Sequence, residues 1–424
     1  MPEPRDGRGV PGPWGRWALP ALPGEWALSG PLWCPGDLGA PGRLGAPGDA
    51  AACAALERVL AGAVPQVCSA AVAVIAVGGR VVAAAATGEA VRYAGASEEL
   101  VPGPPPARGD SIFDLASVTK LFTTAVVLSL AQEGRLDLDE PVAARLPACY
   151  AGHPRTTLRH LLTHTAGLPS GRRVDREIPG TGPEVHAARM ERILSTPPSH
   201  ALGERYLYSD LGMITVGRVA ELAGGAPLDE LLRERVTGPL GLADTGYRPP
   251  ASILPRTVAT EYKAERPHPG CVRGEVHDET AYGLGGVAGH AGLFSTAGDL
   301  LRFAETLRTG GAPILGADCV AEMTRDHEVG DPDFRHGLGV RIGDPAIVGP
   351  LPDAYGHSGF TGTSLVVDAG RALSVVLLTN NVHPLRGRPG IRALRHAVAA
   401  EALHLSGDEA RDRDGDGDGI VPGS

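Results

Sequence analysis

Ser117 and Lys120 stand three residues apart in the run Asp114-Leu-Ala-Ser-Val-Thr-Lys-Leu-Phe-Thr-Thr-Ala-Val-Val-Leu, a hydroxyl and an amine at the start of an apolar helix. Side chains at that spacing share a helix face, so the amine can reach the serine oxygen and take its proton once the amine is neutral. The helix start favours neutrality, because its partial positive charge and the apolar neighbours both oppose an ammonium. A serine hydroxyl is a weak nucleophile at neutral pH and must lose its proton as it attacks a carbonyl. The pair is the seed of an acyl-transfer site, provided that further groups join it.

Two later segments carry such groups. Tyr206-Leu-Tyr208-Ser209-Asp210-Leu-Gly-Met-Ile brings a phenol and a carboxyl, and Tyr355-Gly-His357-Ser358-Gly359-Phe360 precedes the strand-like Leu365-Val-Val. Taken in this order with Asp110-Ser-Ile-Phe-Asp-Leu-Ala-Ser, Leu158-Arg-His-Leu-Leu-Thr-His-Thr-Ala-Gly-Leu-Pro169 and Ala291-Gly-Leu-Phe-Ser-Thr-Ala-Gly-Asp-Leu300, the chain resembles the serine β-lactamase and penicillin-binding-protein group. The likeness is to its class C β-lactamase-like branch of esterases, amidases, D-aminopeptidases and transacylases, and it runs from about Ala51 to about Leu403.

The resemblance implies Ser117 as nucleophile, Lys120 and Tyr208 as the proton-transfer pair, and His357, Ser358, Gly359 and Phe360 as an edge strand beside the substrate. It also implies the backbone amides of Ser117 and Phe360 as oxyanion donors. Gly359 on this reading leaves room for an acyl group lying along the strand. Tyr208 can act as base only if its phenol is acidified, which a nearby Lys120 ammonium would do, so the two titrate as a unit and the base is open between them.

Two positions depart from the best-known members. Asp210 stands where they carry Asn, and an anionic Asp210 beside Lys120 would raise the amine's pKa and oppose its work as a base. His357 stands where many carry Lys; it keeps a donor at the strand edge without a permanent charge. Both changes point away from a β-lactam, whose carboxylate wants a fixed cation, and toward esterase-like and acyl-transferring members.

The elements that must position these groups follow from periodicity. Leu56, Val59, Leu60 and Val64 have helical spacing, and Ala70-Ala-Val-Ala-Val-Ile-Ala-Val with Gly78-Gly79 and Val81-Val-Ala-Ala-Ala reads as a hairpin. The nucleophile helix stops near Gly134, and a helical, loop-rich stretch follows to about residue 284. Alternation returns at Ile342, Ile347 to Val348, Ser364 to Asp368 and Leu373-Ser-Val-Val-Leu-Leu-Thr, and Ile391 to Leu403 closes as an apolar-striped helix. The expected fold class is α+β: one antiparallel β-sheet flanked by N- and C-terminal helices, with an inserted all-helical lobe and a cleft between them. Residues 1–49 form a Gly/Pro-rich leader, 50–405 a catalytic domain (sheet lobe about 50–116 and 285–405, helical lobe about 117–284), and 406–424 an acidic disordered tail.

At 424 residues and 43% hydrophobic content the chain can bury a large core, and a net charge of −10 with no basic stripe excludes a nucleic-acid partner. Cys34, Cys53, Cys68, Cys149, Cys271 and Cys319 lack CxxC spacing and read as reduced thiols. No run approaches the roughly 20 apolar residues of a membrane span, and no secretory h-region stands in the first thirty residues, so a cytoplasmic location without membrane contact is expected. The leader holds Trp14, Trp17, Trp26 and Trp33, which predicts that part of it folds back onto the body. No cofactor and no metal are expected: His160 and His164 stand four apart but without a glutamate between them. The tail beginning Asp412-Arg-Asp414 lacks the twelfth-position Glu of a calcium loop. The segment from Gly274 through His277-Asp278-Glu279 to His290 reads as a surface salt-bridge loop that could line the leaving-group side.

The function expected is an acyl-enzyme hydrolase or acyltransferase acting on an ester, thioester or amide of a small-molecule acyl donor. Water as acceptor makes it an esterase or amidase, and an amine or alcohol makes it an ATP-independent transacylase of natural-product biosynthesis. A non-catalytic ligand-binding relative is the remaining alternative.

Overall fold

The computed structural model describes residues 50–331 and 333–415. The leader with its four tryptophans, Cys34 and the last nine residues of the tail lie outside the described residues.

Strand Ala70–Val77 turns through Gly78 and Gly79, both at positive φ (59° and 82°), into strand Arg80–Gly88. Positive φ at both residues is what a tight two-residue hairpin needs, and glycine reaches it without a Cβ clash. The hairpin then pairs with the far end of the chain, Ala71 opposite Thr379 and Val74 opposite Val376. A seven-stranded sheet results, in the order 80–88, 70–77, 373–379, 364–368, 355–358, 341–342, 335–336, with every neighbouring pair antiparallel.

Alternate residues of the first strand enter different cores. Ala71, Ala73 and Ile75 pack with Leu56 and Leu60 of helix Ala50–Ala61 and with Leu394 and Val398 of helix Ile391–Gly415, so the two terminal helices cover one face. Val72 and Val74 face the other way, into the larger core with Phe122, Val126 and Phe303. The period of two is the physical reason that one strand serves both layers. The chain thus adopts the expected α+β fold with its inserted helical lobe. That lobe also carries the two-residue strands Gly246–Tyr247, Tyr262–Lys263 and Gly270–Cys271, too short to leave an alternation in the sequence. The last helix, expected to close at Leu403, runs on to Gly415. No proline stands between Leu403 and Gly415, so every residue there keeps the amide that a helix needs.

The nucleophile helix, Thr119–Gln132, is buried on every side from Thr119 to Leu130, with Phe122 stacked on Phe303 at 4.0 Å between centroids. Helix Asp210–Gly224 packs beside it. A small second sheet puts Leu293–Ser295 between Phe113–Asp114 and Gly246–Tyr247, which ties the approach to Ser117 to the segment that ends at His290.

Candidate active site

Ser117 sits in a single tight turn, Ala116–Val118, that runs into the nucleophile helix. Ala116 has φ of 46°, a left-handed conformation that strains an alanine by about 1–3 kcal/mol. The surroundings hold it there. Asp114 accepts from the Ala116 amide at 2.8 Å and from the His277 amide at 2.6 Å, and Thr361 and Thr363 donate to the carbonyls of Asp114 (2.8 Å) and Leu115 (2.9 Å). Burial raises the Asp114 pKa above the ordinary carboxylate value, while His277 and the two amides oppose the rise.

Two polar groups converge on the serine, and a third backs one of them. Lys120 Nζ donates to Ser117 Oγ at 2.9 Å and to the His290 carbonyl at 3.2 Å, and the Tyr208 hydroxyl donates to Ser117 Oγ at 3.0 Å. Lys120 Nζ lies 4.8 Å from the centre of the Tyr208 ring. Asp210 Oδ1 approaches Lys120 Nζ to 2.8 Å as an ion pair without a directed hydrogen bond.

This geometry corrects the expectation of a neutral amine. Burial of Lys120 opposes its charge, but Asp210 and Tyr208 favour the ammonium, and the balance raises its pKa. The Tyr208 phenol is raised by desolvation and by Asp210 and lowered by Lys120. In this protonation state both neighbours donate to Ser117 Oγ, so one of them must first give up a proton before it can accept the serine's.

The Tyr208–Asp210 corner is anchored from the segment holding His160 and His164. His164 Nδ1 accepts from the Ser209 amide at 3.2 Å, and Ser209 Oγ both donates to the Pro169 carbonyl (2.6 Å) and caps the next helix by accepting from the Gly212 amide (3.2 Å). His160 pairs with Thr157 in the capping box of its own short helix. Among the described residues, no group of three or more His, Cys, Asp or Glu side chains is placed to hold a metal ion.

Three readings of the His357–Phe360 segment change. Strand Tyr355–Ser358 is interior to the sheet, paired to 364–368 along its length and to 341–342 at Tyr355 and Gly356, so only His357 and Ser358 have an open side. His357 presents an acceptor where a donor was expected: Nδ1 donates to the Ser358 carbonyl at 2.8 Å, which leaves Nε2 with a lone pair and no partner among the described residues. Burial, with Lys120 and Arg341 adding to it, drives its pKa well below the usual histidine value and keeps it neutral. Gly359 is needed for backbone approach rather than for substrate room, since a Cβ there would meet Thr363 Oγ1 at 2.1 Å and the Leu115 carbonyl at 2.4 Å. Phe360, 58% exposed, follows this crossing, with His277 stacked at 5.8 Å and the Arg386 guanidinium 5.3 Å from its ring centre.

The His277–Glu279 segment is no surface loop. His277 is buried and bonds Glu261 at 2.8 Å; Lys263 bridges Glu261 (2.9 Å) and Glu279 (2.5 Å); Arg386 closes the ring on both acids. Asp278 caps the helix Glu279–Gly283 and meets His290 Nε2 at 2.9 Å, which fixes the loop whose carbonyl receives Lys120. Sequence reasoning also gave no role to Arg341, whose guanidinium lies 5.4 Å from the Tyr208 ring centre and donates to Asp344 (2.7 Å) and to the Tyr206 hydroxyl (3.1 Å). It supplies near the site the fixed cation that His357 does not. Asp114 did leave a signal: a carboxyl inside the apolar run Ile112-Phe-Asp-Leu-Ala has to be bonded if it is buried.

The chain is similar to known proteins along most of its length. The sequence model of the beta-lactamase family matches residues 57–400. A putative D-alanyl-D-alanine carboxypeptidase of Escherichia coli (strain K12) is 31% identical over 335 residues, covering 70% of this chain and 75% of that protein. An N-acetylmuramyl-L-alanine amidase of Bacillus subtilis (strain 168) is 31% identical over 366 residues, 77% of this chain and 80% of the amidase. Among solved structures, EstCE1, a hydrolase with promiscuous acyltransferase activity, superposes with a TM-score of 0.61 at 26% identity, over 81% of this chain and 98% of its own. A penicillin-binding-protein homologue from Caulobacter crescentus shares the fold with a TM-score of 0.63 at 23% identity, over 84% and 97% of the two chains.

Proposed function

The chain belongs to the beta-lactamase family, in its class C-like branch, and from that footing we propose that it cleaves a small amide through an ester formed on Ser117. It is an enzyme of hydrolase type. The observation that carries the proposal is the placement of Ser117 Oγ within 2.9 Å of an ammonium and 3.0 Å of a phenol.

In the proposed reaction Ser117 attacks the amide carbonyl and its proton passes to the Tyr208–Lys120 pair, which must start one proton short. Asp210 holds the charge on Lys120, so Tyr208 is the acceptor and the Lys120 cation is what makes its phenolate accessible. The Ser117 and Phe360 amides take the oxyanion, the pair returns a proton to the departing amine, and water releases the acid. An amide substrate is favoured because the carboxypeptidase and the amidase, each 31% identical over the matched stretch, are both named for amide cleavage. Transfer to an amine or alcohol is the second reading, supported by the likeness to EstCE1.

A panel of D-alanyl-D-alanine, N-acetylmuramyl-L-alanine, p-nitrophenyl acetate and nitrocefin, each with and without added hydroxylamine, tests both. Turnover of either amide, absent in Ser117→Ala, is expected. Turnover of nitrocefin alone would overturn the amide assignment, and hydroxamate exceeding acid at modest hydroxylamine would favour transfer over hydrolysis.

A further inference from the structure

A cavity of about 640 Å³ opens beside the helix Glu279–Gly283 and shares no lining residue with Ser117, Lys120, Tyr208 or the His357–Phe360 segment. Its walls hold two buried guanidiniums. Arg266 is 6% exposed; its guanidinium lies 3.2 Å from the Tyr282 ring centre and its Nη2 donates to the Val276 carbonyl at 2.8 Å. Its Nη1 makes no hydrogen bond among the described residues, and the carboxylate facing it, Glu275, is 3.7 Å away on a side chain that is 61% exposed. Arg189, 5% exposed, donates only to the carbonyls of Ile178, Gly180 and Gly283, which satisfy its hydrogens without cancelling its charge.

Of the four acids in the same walls two are firmly paired, while Glu265 and Glu275 act on Arg266 through charge without a hydrogen bond to it. Asp175 is gripped by Arg173 at 2.9 and 2.7 Å, and Glu279 by Lys263 and Arg386. Arg248, 60% exposed and paired with Asp229, adds another cation among the lining residues. A buried guanidinium donor without an acceptor is unfavourable, and a planar fork of N–H groups matches the oxygens of a carboxylate or phosphate. The volume suits a small organic molecule better than a bare ion.

We propose that this cavity is a second ligand site, which takes a small molecule bearing an oxyanion against the Arg266 guanidinium beside Tyr282, the exposed Glu275 side chain swinging aside to uncover Nη1. Its wall borrows Val276 and Glu279 from the segment whose intervening residues, His277 and Asp278, hold Asp114 and His290. A ligand there would press on the same short stretch that fixes the Ser117 turn.

Calorimetric titration of the full chain with succinate and, separately, with inorganic phosphate tests the site. Saturable one-to-one binding of either probe is expected, and which of the two binds identifies the source of the oxyanion. Arg266→Met, which keeps the packing on Tyr282, should weaken that binding roughly 10–100-fold, the loss of one charge-assisted hydrogen bond or slightly more. Arg248→Gln, on the surface, should weaken it by a smaller factor and decides the matter if the first variant melts. Unchanged binding in Ser117→Ala is expected too. Saturation by neither probe, binding as tight as wild type in both arginine variants, or binding lost in Ser117→Ala would overturn the proposal.

Discussion

Two charged clusters meet the segment 276–290 and are wired in opposite ways. Around Ser117, an ammonium and a phenol both donate to one half-buried hydroxyl oxygen, and the anion that balances the ammonium sits on its other side. Around Glu261, three cationic or imidazole groups and a second acid saturate one another: Lys263, His277, Arg386 and Glu279. A saturated cluster has no reason to react and serves as a clamp. The first cluster keeps one oxygen whose protonation depends on its neighbours, which is the condition for a nucleophile.

The contrast can be broken by substitution. Tyr208→Phe removes the proposed proton acceptor and is expected to slow ester or amide turnover by about 10²–10⁴-fold, measured as kcat/KM, with little change in melting temperature. A variant within tenfold of wild type would reassign the base to Lys120. Glu261→Gln leaves Lys263 and Arg386 competing for Glu279 and should lose about 3 kcal/mol of stability in urea titration. Turnover falling further than stability would place that cluster in the chemistry.

The wiring around Lys120 sets the pH dependence. Asp210 raises both Lys120 and Tyr208, so the pair holds its protons above the pH at which isolated groups would release them and the rate should climb with rising pH. Asp210→Asn removes that effect, and the rising limb of kcat/KM should move to lower pH by about one unit. A limb that stays put would show that the ion pair does not govern the titration.

The smallest effect comes from histidines held neutral away from Ser117. Burial lowers the pKa of His336 to about 3 and that of His383 to about 4; His383 donates through Nδ1 to the Thr260 carbonyl and accepts the Tyr93 amide on Nε2. Unfolding lets each bind a proton below its ordinary pKa of 6.5, so stability is full above that value and falls as pH drops toward the folded values. Between pH 7 and 5.5 each should remove about 1 kcal/mol from the urea-derived stability, and His383→Gln should lose its share of the slope.

What the sequence disclosed follows the same division. Ser117 and Lys120 are one helical turn apart, so spacing exposes that pair, whereas Tyr208 and Asp210 join it only through the family resemblance that their short motif carries. The sheet was legible because Ala70–Val77 and Leu373–Thr379 are long enough to show their character. His277 and Arg386 are separated by 16 and 125 positions along the chain from their shared acid, Glu261, and no periodicity links them. The strand Arg341–Ile342 shows in the sequence only as the start of alternation at Ile342, and Phe113–Asp114 only as a carboxyl in an apolar run, so neither reveals what Arg341 and Asp114 hold in place. His357 was read as a donor because the tautomer is set by its own strand's carbonyl at Ser358, a matter of side-chain rotation that no spacing encodes.

The central claim is that Ser117 becomes covalently acylated because Lys120 and Tyr208 manage its proton. Intact mass after exposure to a fluorophosphonate, followed across pH for the wild-type chain, Ser117→Ala and Tyr208→Phe, tests it most directly. The account predicts one phosphonyl adduct on the wild type that forms faster as pH rises, none on Ser117→Ala, and a rate lowered at least a hundredfold, by order of magnitude, on Tyr208→Phe. An adduct that survives Ser117→Ala, or a wild-type chain that stays unlabelled, would contradict it.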